Sequence, residues 1–153
     1  MVKYLDLKKI NDSFEPELSE AVARVVRSGW YLFGKEVETF EQRFAHYCGT
    51  GYCVGTGNGL DALTLIFMAY VSMGRMKVGD EVIVPANTYI ASILAVMRAG
   101  LKPVFCEPEW DTCNIDPGKV ENLISVRTKA VMVVHLYGRV CRMDEISRTA
   151  RKN

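Results

Sequence analysis

A glycine-rich stretch that follows a short apolar run is the strongest candidate for chemistry in this sequence. Gly55-Thr56-Gly57-Asn58-Gly59 comes after Tyr52-Cys53-Val54, which we predict to be a strand, and it precedes a segment with helical apolar periodicity from Leu60 to Met73. A glycine turn between a strand and a helix start leaves backbone N–H groups free, and the positive end of the helix dipole points at the same spot. We therefore predict a phosphate-binding cradle here, with an ordinary tight turn as the alternative.

The spacing of the glycines restricts the kind of phosphate site. Gly55, Gly57 and Gly59 form a G-x-G-x-G pattern, whereas dinucleotide sites use G-x-G-x-x-G directly after the first strand of their domain. No Lys-Ser or Lys-Thr pair follows the glycines, which excludes a P-loop. A nicotinamide-dependent oxidoreductase is therefore a disfavoured alternative.

Two more stretches place chemically useful side chains after predicted strands. Asn87-Thr88-Tyr89 follows one strand, and His135-Leu136-Tyr137-Gly138 follows another. The ring of Tyr89 could stack on a flat heterocycle, or it could be an ordinary packing residue. His135 stands where a functional histidine is expected, and a hydrogen-bonded core histidine is the alternative.

An aromatic loop and an acidic segment complete the candidates. Trp30-Tyr31-Leu32-Phe33 lies between two glycines and is either a ligand-contacting loop or a packed connector. Glu107, Glu109 and Asp111 could bind a metal, but three carboxylates in a loop are more typical of a solvated turn. We predict no metal site.

The elements that must position these residues alternate between helix and strand. After a polar, irregular segment 1–14, we predict helices at 16–28, 36–47, 60–73, 91–99, 117–124 and 143–152, and strands at 52–54, 81–84, 102–105 and 130–134. This alternation, with nearly continuous apolar strands, predicts a parallel sheet covered by helices on both faces. The most apolar strand, Ala130–Val134, is expected at a central position.

Ligands of such sheets bind beyond the carboxyl ends of the strands. Four loops are expected at that edge, and they contain all the candidates except the aromatic loop: residues 55–59, 85–89, 106–111 and 135–139. The sheet would therefore bring the glycine stretch, Tyr89 and His135 to one edge.

Composition excludes several classes of function. The chain has 153 residues, of which 49% are apolar, and its 19 basic and 18 acidic residues give no argument for nucleic acid. It has no apolar run long enough for a membrane helix and no signal-peptide pattern at residues 1–20. Its five cysteines, without a C-x-x-C pair, favour neither a disulfide framework nor a zinc site. We expect a cytoplasmic protein without a membrane partner.

Taken together, the motifs resemble the DegT/StrS family of sugar aminotransferases, which are fold type I enzymes dependent on pyridoxal 5′-phosphate (PLP). The resemblance rests on the order and spacing of several segments: 29–31 with Gly34, then 36–37, 40–41 and 44–45, and then 57–63, 84–92, 112–117 and 134–138. It implies an α/β fold, a three-layer αβα arrangement with a mostly parallel sheet. Residues 1–153 would be the N-terminal part of the PLP-binding large domain, with a helical segment 1–50 and βα repeats over 51–153. The remainder of the large domain and the C-terminal small domain would be absent.

The resemblance also implies roles for individual residues. The turn that holds the PLP phosphate falls on Asn58-Gly59-Leu60, where backbone donors persist although Leu60 lacks the family's hydroxyl. Tyr89 falls on the aromatic residue that lies over the pyridine ring. We expect weaker substrate contacts from five other residues: Trp30, Tyr31, Thr88, His135 and Tyr137.

The implied activity belongs to amino-sugar biosynthesis: an amino group passes from glutamate to a nucleotide-linked keto-sugar, and the form of the turn resembles members that use dTDP-linked sugars. Such enzymes need a Schiff-base lysine and a carboxylate at the pyridine nitrogen. None of the nine lysines lies in the family's lysine motif. We therefore expect no catalytic residue in this chain and no activity by the chain alone. The alternative is a non-catalytic fragment that binds a phosphate ligand or a partner. A homodimer, or association with a complementing chain, is expected.

Overall fold

The computed structural model describes residues 3–153, which form two compact units that divide between Gly55 and Thr56. The first unit contains three helices: α1 (Leu7–Asp12), α2 (Glu17–Ser28) and α3 (Lys35–Cys48). The second unit, Thr56–Asn153, contains α4 (Gly59–Ser72), β1 (Glu81–Pro85), α5 (Ile90–Arg98), β2 (Lys102–Cys106), α6 (Pro117–Leu123), β3 (Thr128–Val131) and α7 (Met143–Lys152). None of the helices in this described part of the chain is long and apolar enough to cross a membrane.

The first helix is absent from the sequence prediction, which made residues 1–14 irregular. Residues 1 and 2 of that segment lie outside the described residues, and Leu7–Asp12 is helical. The helix starts because the Asp6 carboxylate accepts a hydrogen bond from the Lys9 N–H at 3.2 Å, and an exposed Lys8–Asp12 ion pair spans one turn. Leu7 and Ile10 stand at helical spacing, but a helix of six residues is too short for such a pattern to predict it.

The predicted strand at Tyr52–Val54 is wrong. These residues have no regular secondary structure, and the side chains of Tyr52 and Val54 are 92% and 76% exposed. A strand exists only through hydrogen bonds to a neighbouring strand. The strands of the described residues pair with one another inside the second unit, and none pairs with this segment. These residues favour a strand by type, but in the described part of the chain they have no neighbouring strand to pair with.

The second unit is built on a three-stranded parallel sheet with the order β2-β1-β3. Every residue of β1 is buried, and its register runs from Glu81 beside Lys102 to Pro85 beside Cys106. The expectation that Ala130–Val134 forms a central strand is wrong, because β3 ends at Val131 and occupies an edge of this sheet. Apolar character indicates burial by helices, but it does not indicate which strand has neighbours on both sides.

The two faces of β1 point into two separate apolar clusters. Val82 and Val84 belong to a cluster with residues of α4 and α5, whereas Ile83 belongs to one with residues of α6 and α7. Each of these β1 side chains is fully buried, and burial of that kind contributes roughly 1.5–3 kcal/mol per side chain. The predicted parallel sheet with helices on both faces is thus confirmed.

A buried carboxylate fastens the amino-terminal edge of the sheet. The Glu81 side chain, only 7% exposed, accepts hydrogen bonds from the Ser125 hydroxyl at 2.6 Å and from Arg127 Nη2 at 2.9 Å. Lys102 Nζ lies 3.7 Å from Oε1. The Ser125 hydrogen bond is the largest cause that lowers the pKa of Glu81, and the Arg127 contact adds to it, while burial opposes both. The ionised form is therefore the one that the fold holds.

The lowered pKa of Glu81 predicts how the stability of the fold depends on pH. Because the pKa of Glu81 is lower when the chain is folded than when it is unfolded, its stabilisation is present at neutral pH and is lost as the pH falls through the folded pKa. Glu81→Gln should lower the melting temperature at pH 7, and the difference from wild type should shrink below about pH 4.3, the ordinary glutamate pKa. Glu107 is exposed, so Glu107→Gln serves as the control, and its melting temperature should equal that of wild type both at pH 7 and below about pH 4.3. A Glu81→Gln difference that stays constant down to pH 3 would contradict the role of the ionised carboxylate.

Candidate functional site

The glycine stretch forms the start of α4, and Asn58 is its N-cap. Asn58 has extended backbone angles, its carbonyl accepts the first helical hydrogen bond from Ala62, and its side-chain Oδ1 accepts the Asp61 N–H at 3.0 Å. A cap of this kind stabilises a helix by about 1 kcal/mol. The helix therefore begins at Gly59, one residue before the predicted start, and the cap fixes the direction of its first N–H groups.

Two backbone donors at this helix start have no partner. The N–H groups of Gly59 and Leu60 make no hydrogen bond within residues 3–153, and a Cβ added at Gly59 would meet nothing within 4 Å. The space in front of the helix is therefore open. A 14-residue helix also places the positive end of its dipole here. Unpaired amides, open space and positive potential are the requirements of a phosphate group, so these residues fit one.

Charged neighbours of the cradle come from α4 and α5. The Asp61 carboxylate accepts a hydrogen bond from Asn58 Nδ2 at 2.9 Å, and its other oxygen lies 3.9 Å from Arg98 Nη1. The guanidinium offsets part of the carboxylate charge, but both side chains are about half exposed. Binding of an anion would therefore depend on the backbone amides rather than on a cationic side chain.

The first glycine of the stretch has a different role. The Gly55 N–H donates to Glu41 Oε1 at 2.6 Å, within the first unit. That donor is occupied and is not available to a ligand. The N–H groups of Gly59 and Leu60, in contrast, have no such contact among the described residues, and Leu60 also packs its side chain against the α4–α5 cluster.

Tyr89 lies between β1 and α5 with a freely accessible ring. It has extended backbone angles, it immediately precedes the first residue of α5, and it is 78% exposed. The ring therefore does not pack in the core of the second unit. The adjacent Thr88 hydroxyl shares a hydrogen bond of 2.9 Å with Ser92, and Asn87 Nδ2 donates to the Cys113 carbonyl at 2.9 Å. These contacts hold the loop on both sides of Tyr89.

His135 and Tyr137 belong to a tight turn after β3. His135 is exposed, and its Nδ1 accepts the Cys141 N–H at 3.2 Å, which places the proton of a neutral imidazole on Nε2. Tyr137 has a left-handed backbone with φ 54° and is 96% exposed. The core-histidine alternative therefore does not describe His135, although its ring is hydrogen-bonded.

The acidic segment is used for structure. Glu109 accepts a hydrogen bond from the Thr112 hydroxyl at 2.9 Å and forms an ion pair with Arg142. Glu107 and Asp111 are exposed. Within residues 3–153, no group of three or more histidine, cysteine, aspartate or glutamate side chains is placed to hold a metal ion.

In the first unit, Trp30 braces the aromatic loop. Its indole Nε1 donates to the Leu32 carbonyl at 2.6 Å, and its backbone N–H donates to the Ser28 hydroxyl at 3.0 Å. A Cβ at Gly34 would come within 3.2 Å of the indole, which explains the glycine. Tyr31 is 66% exposed and lines a groove of about 600 Å³ in this unit. Trp30 thus uses its polar atoms internally, and Tyr31 is the residue free to contact a ligand.

The sequence analysis missed Asn114, a buried side chain that ties two loops of the second unit together. It lies between β2 and α6 and is 3% exposed. Its amide donates to the Arg139 carbonyl and accepts the Leu136 N–H. A single buried asparagine has no periodicity or motif chemistry that would distinguish it from a turn residue.

Comparison with known proteins supports one assignment. The model of the DegT/DnrJ/EryC1/StrS aminotransferase family matches residues 12–153. The chain is 55% identical to the dTDP-3-amino-3,6-dideoxy-alpha-D-galactopyranose transaminase of Aneurinibacillus thermoaerophilus, with 99% of this chain and 41% of that protein covered. It is 46% identical to the dTDP-3-amino-3,4,6-trideoxy-alpha-D-glucose transaminase of Streptomyces venezuelae, over 99% of this chain and 39% of that protein.

Solved structures agree with the sequence comparisons. The S. venezuelae DesV structure in complex with a ketimine intermediate matches with a TM-score of 0.88 and 46% identity, over 99% of this chain and 40% of that one. The E. coli GDP-4-keto-6-deoxy-D-mannose-3-dehydratase with bound hydrated PLP matches with a TM-score of 0.80 and 30% identity, over 86% and 34%. The chain spans about two fifths of the length of the relatives it matches.

Proposed function

Because the chain belongs to the DegT/DnrJ/EryC1/StrS aminotransferase family, we propose that it contributes the cofactor-phosphate site of a PLP-dependent aminotransferase that acts on nucleotide-linked keto-sugars. The observation that carries this proposal is the pair of unpartnered N–H groups of Gly59 and Leu60 at the start of α4. Two of its relatives are dTDP-amino-sugar transaminases, which supports the substrate class.

The residues of this chain would bind and orient the cofactor rather than react with it. Gly59 and Leu60 would donate to the phosphate, and Asn58 would keep the helix start in place through its hydrogen bond to Asp61. The exposed ring of Tyr89 would lie against the pyridine ring. Bound PLP supplies the electron sink that allows an amino group to be moved between carbon atoms.

We propose that the Schiff-base lysine lies outside this chain. The side-chain amines of four lysines of the second unit are paired with other groups of the chain: Lys102 with Glu81, Lys119 with Asp116, Lys129 with the Val126 carbonyl and Lys152 with Glu121. Lys102 is also the first residue of β2, at the edge of the sheet opposite to Tyr89. Hydrogen bonding to Glu121 raises the pKa of Lys152, which favours its charged form over a nucleophilic amine. The chain by itself would then bind phosphate ligands without transamination.

Substrate contacts are proposed for residues at the carboxyl edge of the sheet and in the aromatic loop. Thr88, His135 and Tyr137 lie in loops that follow β1 and β3, and Tyr31 lines the groove of the first unit. We propose a dTDP-linked keto-deoxysugar as substrate and glutamate as amino donor, both by analogy with the family.

A second protein chain is also part of the proposal, either another copy of this one or a complementing chain. The first unit supports it, since Ala45 is the one buried hydrophobic residue among its described residues and many of its apolar side chains are exposed. Exposed apolar surface of this extent is typical of a region that is covered in an assembly. The reducing cytoplasm, predicted from the cysteine pattern, is the proposed location.

The phosphate role of α4 predicts a difference between two substitutions at Gly59. Gly59→Pro removes one donor N–H, while proline is tolerated at the first position of a helix after an extended residue such as Asn58. Because a hydrogen bond to a charged group contributes about 1.5–3 kcal/mol, Gly59→Pro should weaken binding of pyridoxine 5′-phosphate by about tenfold or more. This alcohol analogue of PLP cannot react with lysines, and its binding can be followed by thermal shift.

Gly59→Ala is the matched control, because it keeps the N–H and its methyl group enters open space. It should bind the analogue as wild type does. If Gly59→Pro and Gly59→Ala bind pyridoxine 5′-phosphate equally well, the Gly59 N–H does not contact the phosphate.

The stacking role of Tyr89 predicts ligand-specific effects. Tyr89→Ala should weaken binding of pyridoxine 5′-phosphate about three- to tenfold, since an aromatic pair contributes about 0.5–1.5 kcal/mol, and it should leave binding of inorganic phosphate unchanged. Tyr89→Phe keeps the ring and should bind both ligands as wild type does. If Tyr89→Ala weakens the binding of both ligands equally, Tyr89 maintains the structure of the loop and does not stack on the pyridine ring.

A further inference from the structure

The Asn114 side chain joins the loop that follows β2 to the loop that follows β3, while its backbone groups form hydrogen bonds within its own loop. Its side-chain Nδ2 donates to the Arg139 carbonyl at 2.9 Å, and Oδ1 accepts the Leu136 N–H at 3.1 Å. Its backbone N–H donates to the Thr112 hydroxyl at 3.1 Å, and its carbonyl accepts the Glu109 N–H at 2.8 Å. The residue is 3% exposed, so a lost partner would leave a buried polar group unsatisfied.

The turn that Asn114 holds contains two consecutive residues with left-handed backbone angles. Tyr137 has φ 54° and Gly138 has φ 78°, and a tyrosine persists in the left-handed region only where its surroundings enforce it. Asn114 contacts the residue before this pair, Leu136, and the residue after it, Arg139. One planar amide therefore holds both ends of the strained pair.

Two further contacts fasten the same turn. The Cys141 N–H donates to His135 Nδ1, and Arg139 Nη1 donates to the Asp111 carbonyl at 3.0 Å. Both contacts depend on where Leu136–Arg139 is placed. Release of the Asn114 amide would therefore alter the hydrogen bond on the His135 ring.

We propose that Asn114 is the positioning residue that holds the turn His135–Gly138 at the carboxyl edge of the sheet and so presents His135 and Tyr137 to the nucleotide part of the substrate. The ligand half of this inference rests on the proposed function, whereas the half that concerns the turn rests on the contacts of Asn114 alone.

The test compares Asn114→Ala and Asn114→Asp with Asn122→Asp. Aspartate keeps the shape and the acceptor but removes the donor to the Arg139 carbonyl, and Asn122 is an exposed asparagine of α6. The chain contains two histidines, His46 and His135, so proton NMR of the imidazole C–H groups gives two signals, which His46→Gln assigns. Both Asn114 variants should move the His135 signal and leave the His46 signal in place. Asn122→Asp should move neither.

Gly138→Ala tests the same turn without any loss of a buried contact. A Cβ at Gly138 meets nothing within 4 Å, but the residue has φ 78°, where alanine is strained. This variant should move the His135 signal as the Asn114 variants do. If the Asn114 variants do not fold, an unmoved His135 signal in Gly138→Ala would still overturn the claim that this turn sets the surroundings of His135.

A titration with dTDP, followed on the His135 signal, tests the ligand half. In wild type the signal should move saturably, and the Asn114 and Gly138 variants should bind at least fivefold more weakly, while Asn122→Asp binds as wild type does. A folded Asn114 variant whose ligand-free His135 signal matches wild type would overturn the positioning role. A moved His135 signal with unchanged dTDP binding would overturn the link to the substrate. If dTDP leaves wild type unchanged, the nucleotide-sugar part of the proposed function fails, and the ligand-free spectra still decide the role of Asn114.

Discussion

The complete burial of β1 is the constraint on which the second unit depends. Val82 and Val84 point into one helical layer and Ile83 into the other, so helices must cover both faces of the strand. Parallel neighbours on both sides then bring the loops after all three strands to one edge. The candidate site is a consequence of this arrangement: Tyr89 leaves β1 at that edge, and the turn with His135 follows β3. At the opposite edge, the buried Glu81 carboxylate pairs with the exposed guanidinium of Arg127.

In the proposed site, side chains would keep the helix start in place and backbone groups would bind the phosphate. Asn58 satisfies the Asp61 N–H through its side chain, and this leaves the N–H groups of Gly59 and Leu60 as the free donors of α4. A phosphate held in this way needs no particular side chain at position 60, so the leucine there is compatible with binding. The specificity of the site would then come from its surroundings, namely the ring of Tyr89 and the turn that Asn114 holds.

Much of the second unit could be predicted from the sequence, because its strands are nearly continuous apolar runs, its helices have apolar faces, and several of these elements end at glycine or proline. The failures have physical reasons. The predicted strand at Tyr52–Val54 lacks a partner, α1 depends on the polar cap of Asp6, and the apolar character of Ala130–Val134 could not reveal that β1 is central. For the candidate site, the sequence pattern placed the glycine stretch at a helix start and Tyr89 in the loop after a strand, as the structure has them. It could not show that Glu41 occupies the Gly55 N–H or that a buried Asn114 holds the turn, because those contacts join residues far apart in sequence.

The central claim is that the α4 amides bind the cofactor phosphate, and amide NMR tests it most directly. Uniformly ¹⁵N-labelled protein is titrated with pyridoxine 5′-phosphate, with inorganic phosphate and with pyridoxine, which lacks the phosphate. We expect the Gly59 and Leu60 amide signals to show large, saturable shifts with both phosphate compounds and none with pyridoxine. If the Gly59 and Leu60 signals do not move with the phosphate compounds, or if they move equally with pyridoxine, the α4 amides do not bind the cofactor phosphate.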